Sequence, residues 1–323
     1  MNESLSISRI MNPAMAANSI PSAPQQVVNN APCVLGPSGS LPALATLPHT
    51  PTSIAAAITS HSQPQPLGVD KCNVWGTDFA RLNMQQTLDL AEQIIRRGHP
   101  EYFVTANLNY LMLTEQFPRL VEVNARSAAV IADGQPIVSR SRATDKPLPC
   151  RVAGSDMIVE LARLSADKGF RMFFLGAAPG VAQAAAAELT RQFPALQVAG
   201  CCSPPFRQLT AAERSELLST IRTSRTDILL VAFGQPKGEL WIHDNLSELH
   251  VPLSIQLGAS FDFLAGTARR APAVWQWLGA EWLYRALSDP RRLGPRYARN
   301  LLFFGKLKIA DWFERKSVAK QSR

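Results

Sequence analysis

Cysteine is scarce in this chain. The five residues, Cys33, Cys72, Cys150, Cys201 and Cys202, are odd in number and lack CxxC spacing. Neither a disulfide framework nor a zinc site is indicated. The five histidines are scattered, and His243 and His250 read as surface or helix-end residues rather than ligands. No stretch reaches the roughly 18 apolar residues of a spanning helix. Arg9 is followed by NPAMAANSIPSAP rather than the apolar run of a signal peptide, so the expected compartment is the cytoplasm. A P-loop GxxxxGK, an HExxH, a nucleophile elbow and a DxD pair are all missing. These absences remove the usual signatures of phosphate-loop, zinc-hydrolase and serine-hydrolase chemistry. With no short acidic element to hold a divalent ion, neutralising a phosphate falls to arginine.

What is present divides unevenly along the chain. At 323 residues and 46% hydrophobic, the protein can bury a sizeable core, as one large domain or two smaller ones. Residues 1–70 stand outside that core. They hold ten of the 24 prolines, no lysine, and only Glu3, Arg9 and Asp70 as charges, a composition that reads as a disordered leader. Residues 266–323 carry 13 Lys and Arg against 4 Asp and Glu, a net of +9, whereas the whole chain is +8. A near-neutral body therefore ends in a cationic tail, which implies an anionic partner: phosphate, diphosphate, an acidic membrane surface or nucleic acid.

From Cys72 onward, short β-rich runs alternate with helical periods, the pattern of a parallel sheet wrapped by helices. Strands are expected at 102–105, 128–131, 172–175, 197–199, 228–233 and 253–257. Helices are expected at 84–97, 111–126, 155–168, 181–193, 211–223 and 239–249. In such open sheets ligands bind beyond the carboxyl ends of the strands. Thr105 and Asn107, Asp133-Gly134, Gly176 to Gly180, Gly234-Gln235-Pro236 and Gly258 to Asp262 all fall there. Each alone has a plainer reading, because Gly, Pro and Asp after a strand are common turn formers.

FLGAAPGVAQAA sets a glycine-rich turn before an alanine-rich helix, where free N–H groups could meet phosphate. Without a complete GxGxxG or an acidic residue at dinucleotide spacing, a nicotinamide enzyme is disfavoured. More specific is the ordered series TANLNYL, ADGQPIV, RVAGSD, FLGAAPG, SPPF, ILLVAFGQPKGELWI, LGASFDFLAGTARRAP and EWLYRALSDPRRLGPRY. In sequence and spacing, from about Cys72 to Phe304, it resembles the WecG/TagA/CpsF family of bacterial glycosyltransferases.

The resemblance implies a Rossmann-like core over residues 71–270 and a basic helical appendage over 271–323. The implied activity is inverting transfer from a UDP-sugar to a polyprenyl-diphosphate-linked acceptor, in exopolysaccharide or wall-polymer synthesis at the inner membrane face, with no cofactor and no metal. By the same likeness Asp133 is the general base, and Thr105 and Arg151 sit near the donor phosphates and the acceptor. Asn107 and Gly234 join the substrate site, Phe206 neighbours the uracil and Asp262 meets the ribose hydroxyls. Arg285, Arg292 and Arg296 reach in to neutralise diphosphate. One departure stands out: the family often has GxPKQE where this chain reads GQPKGE, so Gly238 replaces an amide that could touch substrate.

The chemistry agrees with those roles. Inverting transfer needs a base for the acceptor hydroxyl and a counter-charge for the departing diphosphate, which Asp133 and the arginines can supply. Asp133 can equally be a turn-capping residue. The tail is open in the same way. Val274, Trp277, Leu278 and Trp282 fall at helical spacing and can pack on the core. Leu301, Leu302, Phe304, Ile309 and Phe313, flanked by Arg299, Lys306, Lys308, Arg315 and Lys316, have the form of a segment lying on an anionic membrane. The rival function is a nucleotide-binding regulator whose tail grips nucleic acid. The tail's helical apolar spacing and lack of a nucleic-acid motif argue against it. A homo-oligomer is left open.

Overall fold

Six short, mostly apolar runs form one parallel sheet in the order β4-β3-β8-β7-β5-β6. The strands are β3 (Glu101–Ala106), β4 (Ala129–Ala132), β5 (Arg171–Gly176), β6 (Gln197–Cys202), β7 (Ile228–Ala232) and β8 (Leu253–Gln256). The computed structural model describes residues 68–272, 274–275 and 281–321; certain tail side chains, Arg285, Arg292 and Trp282 among them, lie outside that description. Residues 1–67 of the expected leader and the Trp277 and Leu278 positions also fall outside the described residues.

The expected α/β architecture of a parallel sheet wrapped by helices is observed. Register is continuous at the centre, where Leu229 pairs Phe173 on one side and Ser254 on the other. β7 is buried along its whole length, as a strand covered on both faces should be. Period-two alternation sends Tyr102, Val104, Leu229 and Val231 into one apolar layer and Phe103, Phe174, Leu230 and Ile255 into the other.

The covering helices are α1 (Met84–Arg97), α2 (Leu108–Gln116), α3 (Arg119–Arg126), α4 (Gln135–Ser141), α5 (Gly154–Lys168), α6 (Val181–Gln192), α7 (Ala211–Thr223), α8 (Lys237–Leu249) and α9 (Ser260–Leu264). Local signals explain several boundaries. Asn83 with Gln86 and Thr210 with Glu213 form capping boxes at the starts of α1 and α7. Gly98 ends α1 in the left-handed region, which glycine enters without steric cost. The helix expected over 111–126 is instead two helices. Pro118 disfavours a helical conformation at the residue before it, and Phe117, at φ −124 and ψ 88, closes α2.

An unexpected antiparallel hairpin, β1 (Lys71–Val74) and β2 (Thr77–Ala80), packs beside β4. Its turn residues Trp75 and Gly76 both have positive φ, as a two-residue hairpin turn with matching twist requires.

The tail forms α10 (Glu281–Ser288) and α11 (Pro290–Gln321). The inward stripe of α11 is Leu293, Asn300, Phe303, Leu307 and Asp311. Asp311 Oδ1 accepts from Arg140 Nε at 2.8 Å and from Trp75 Nε1 at 3.1 Å, which ties the helix to α4 and to the hairpin turn. Lys306 Nζ donates to Glu115 Oε2 at 2.8 Å, which adds a contact to α2. The opposite face leaves Leu301, Leu302, Ile309, Trp312 and Phe313 exposed, whereas Phe304 is half-buried edge-on to Trp75. Among the described residues no helix is long and apolar enough to cross a membrane.

Candidate active site

The strand ends of β3, β4, β7 and β8, with α11 laid across them, surround a cavity of about 950 Å³. Thr105, Asn107, Asp133, Arg151, Phe206, Gly234, Asp262 and Arg296, from distant parts of the chain, all line it. Arg285 is placed on α10 and Arg292 on α11, with side chains outside the described set.

Asp133 follows β4 directly, and its N–H extends the sheet ladder by donating to Ala106 O at 2.9 Å. The side chain turns toward the start of α5, where Oδ2 accepts from Gly154 N at 3.2 Å. A carboxylate at a helix N-terminus is ordinarily favoured. Here burial wins. Asp133 keeps part of its surface open to the cavity, but the surrounding protein crowds the carboxyl enough to push its pKa from 3.8 up to about 7. The Gly154 N–H and the Arg151 charge pull it down, while Glu281 and Asp156 push it up. Such a carboxyl is divided between its two forms near neutrality, the condition under which a base is most effective.

Arg151 pairs across the cavity mouth with the tail, Nη1 lying 3.6 Å from Glu281 Oε2. Thr105, at the end of β3, donates through Oγ1 to Gln256 O at 2.9 Å. Asn107 is the N-cap of α2, and its Oδ1 accepts from Tyr110 N at 3.1 Å. Phe206 stands 80% exposed at the rim. Asp262, in the first turn of α9, is bridged by the Thr267 hydroxyl.

The partners that hold Arg296 in the site were not anticipated. Arg296 Nε donates to Asn109 Oδ1 at 3.2 Å, Asn109 Nδ2 to Gln235 Oε1 at 3.2 Å, and Gln235 Nε2 to Thr105 O at 3.1 Å. This chain of amides links the tail to the cavity floor. Asn109 and Gln235 lay inside quoted blocks, but nothing in their spacing marked them as partners. Glu239, in the first turn of α8 and only 1% exposed, is pushed up to about 7 by burial, which its own backbone N–H and then the nearby Gln235 amide offset only in part. Gly238 also receives a different account from the missing amide read in the sequence, because the amide of Gln256 fills the space against it. His250 ends α8 in the left-handed region, and His243 Nδ1 lies 3.0 Å from the buried Tyr102 hydroxyl.

A half-buried carboxyl with its pKa raised toward neutrality, beside Arg151 and glycine loops on the carboxyl rim of an open parallel sheet, marks the ligand-binding rim of an α/β fold. The chain belongs to the WecG/TagA/CpsF family of glycosyltransferases: the description "Glycosyl transferase WecG/TagA/CpsF family" matches residues 72–317. It is similar to a Bacillus spizizenii protein named N-acetylglucosaminyldiphosphoundecaprenol N-acetyl-beta-D-mannosaminyltransferase. Identity is 31% over 191 residues, covering 59% of this chain and 72% of the relative. A Staphylococcus aureus protein of the same name is 26% identical over 226 residues, covering 69% of this chain and 87% of the relative.

Proposed function

We propose that this glycosyltransferase moves a hexose-type sugar from a UDP-sugar, with inversion, to a polyprenyl-diphosphate-linked saccharide during polysaccharide or wall-polymer synthesis. The relatives' names support the lipid-linked acceptor and a mannosamine-type donor. The observation that carries the reading is Asp133, a carboxyl pushed up to about 7 on the wall of an arginine-lined cavity.

In this mechanism Asp133 removes the proton of the acceptor hydroxyl as its oxygen attacks the anomeric carbon from the face opposite UDP. The bond from that carbon to the β-phosphate oxygen breaks, and UDP departs with the electron pair. A positioned base of this kind contributes about 10²–10⁴-fold. Arg151 and Arg296, with Arg285 and Arg292 from the tail, neutralise the diphosphate as its charge grows. Phe206 stacks on the uracil, Asp262 accepts from the ribose hydroxyls, and Thr105, Asn107 and Gly234 shape the space between sugar and phosphate. The exposed apolar face of α11, flanked by basic residues, seats the enzyme peripherally on an anionic membrane, where its acceptor resides. Metal is dispensable in this account because arginine supplies the counter-charge.

A panel of UDP-sugars assayed against a short-chain lipid-diphosphate N-acetylglucosamine, with and without EDTA, tests the reading. One donor should be turned over, with inverted anomeric configuration and undiminished rate under chelation. Retention of configuration, or activity abolished by EDTA and restored by Mg²⁺ or Mn²⁺, contradicts it.

A further inference from the structure

Gln256, the last residue of β8, is 1% exposed yet lies directly beneath the cavity. Its hydrogen bonds are best satisfied with the amide nitrogen donating to Val231 O at 2.8 Å and the oxygen accepting from Gly258 N at 3.1 Å and Gly234 N at 3.2 Å. The reverse orientation keeps only the 3.3 Å bond from Phe233 N to Oε1 and sets that oxygen against the Val231 carbonyl. One side chain thus holds the backbone immediately after β7 and immediately after β8. Its own carbonyl receives the Thr105 hydroxyl, so the end of β3 is fastened to the same residue. Gly234 and Gly258 both have positive φ, 75 and 57, and the Gly258 loop runs straight on to Asp262.

Gly238 makes room for this. A Cβ at that position would lie inside the Gln256 amide and 3.0 Å from its Cγ, so any larger residue would displace the side chain. Gly238 has an ordinary helical start and no left-handed conformation to require glycine. Its small size therefore answers to Gln256.

We propose that Gln256 is a positioning residue for the donor half of the cavity, setting the separation of the Gly234 and Gly258 loops, and that Gly238 is its obligate neighbour. The assignment rests on the reading of this half as the donor-nucleotide site. Gln256 does not touch the reacting atoms. It acts by fixing two loop N–H groups and, through the second loop, the ribose contact at Asp262. Removing the amide would leave both N–H groups free to rotate away and the loops able to spread.

The test is a double-mutant cycle on the full-length enzyme, read by steady-state kinetics with donor and acceptor varied separately and by hydrogen exchange. Gln256→Met keeps length and removes the hydrogen bonds. It should raise the donor KM about tenfold, leave the acceptor KM and the pH dependence unmoved, and speed exchange at the Gly234 and Gly258 amides. Gly238→Ala should reproduce the donor effect, and in a Gln256→Ala background it should add little, because the clash has been removed. A donor KM within about twofold of wild type in Gln256→Met, a fall in kcat alone, or additive effects in the cycle would overturn the proposal. Failure of the donor reading itself shows elsewhere, as a wild-type enzyme that neither binds UDP nor uses any UDP-sugar.

Discussion

Arg296 and Asn109, 187 positions apart, meet through a hydrogen bond of 3.2 Å from guanidinium Nε to amide Oδ1. That bond places a cation from the tail in the cavity and fixes it to the start of α2, while the amide chain beyond it runs through Gln235 to Thr105. The appendage is therefore a wall of the cavity, and it brings the Arg296 charge into it.

The electrostatics around Asp133 give a signed pH prediction. A base must be deprotonated, so kcat/KM should rise tenfold per pH unit and level off near an apparent pKa of about 7. Arg151 lowers the Asp133 pKa, so Arg151→Ala should move the rising limb to higher pH. Glu281 raises it, so Glu281→Gln should move the limb to lower pH. Rates measured from pH 5 to 9 on the three proteins check this, and a limb near pH 4 would show an ordinary solvated carboxylate.

The latch at Asp311 predicts a local effect. Asp311→Ala removes the acceptor for Arg140 and Trp75, a loss of about 1.5–3 kcal/mol for a hydrogen bond to a charged group. Hydrogen exchange should quicken over 290–321 while β7 stays protected, and kcat/KM should fall as Arg296 loses its platform. Unchanged exchange in α11 would show that Asp311 does not hold the helix.

The exposed face of α11 predicts separable membrane binding. Replacing Leu302, Ile309 and Phe313 together by Ser should reduce co-sedimentation with anionic vesicles at least about tenfold, since burial of each such side chain contributes up to about 1.5–3 kcal/mol. Transfer to a soluble acceptor should persist. Undiminished co-sedimentation would remove the membrane role from this face.

Much of the fold was legible because strands buried on both faces must be continuous apolar runs. All six runs read from the sequence are strands, and α1 spans the residues expected of it. The hairpin at 71–80 was not legible, for two four-residue strands carry too little period to stand out. Pro118 was visible, but its break was hidden inside a longer helical period. In the site, Asp133 was marked by its place after a strand within an ordered series of blocks. Gln256 was not, because one polar residue closing a strand looks like the start of a turn, and only its approach to Gly238 shows what it does. Glu281 escaped notice for a similar reason: its pairing with Arg151 depends on how the tail folds back. The apolar residues read along 301–313 mark mostly the outward face of α11. The inward stripe of Asn300, Phe303, Leu307 and Asp311 mixes polar with apolar residues and so conceals a packing face.

The most direct test of the account is Asp133→Asn, which keeps the side chain's shape and removes its basicity. Turnover and UDP affinity should be measured on the same preparation, by donor-saturated transfer rate and by calorimetric titration. The account predicts a fall in turnover of at least about 10²-fold with UDP affinity little changed. Near-normal turnover in Asp133→Asn would contradict it and return this residue to the role of a turn.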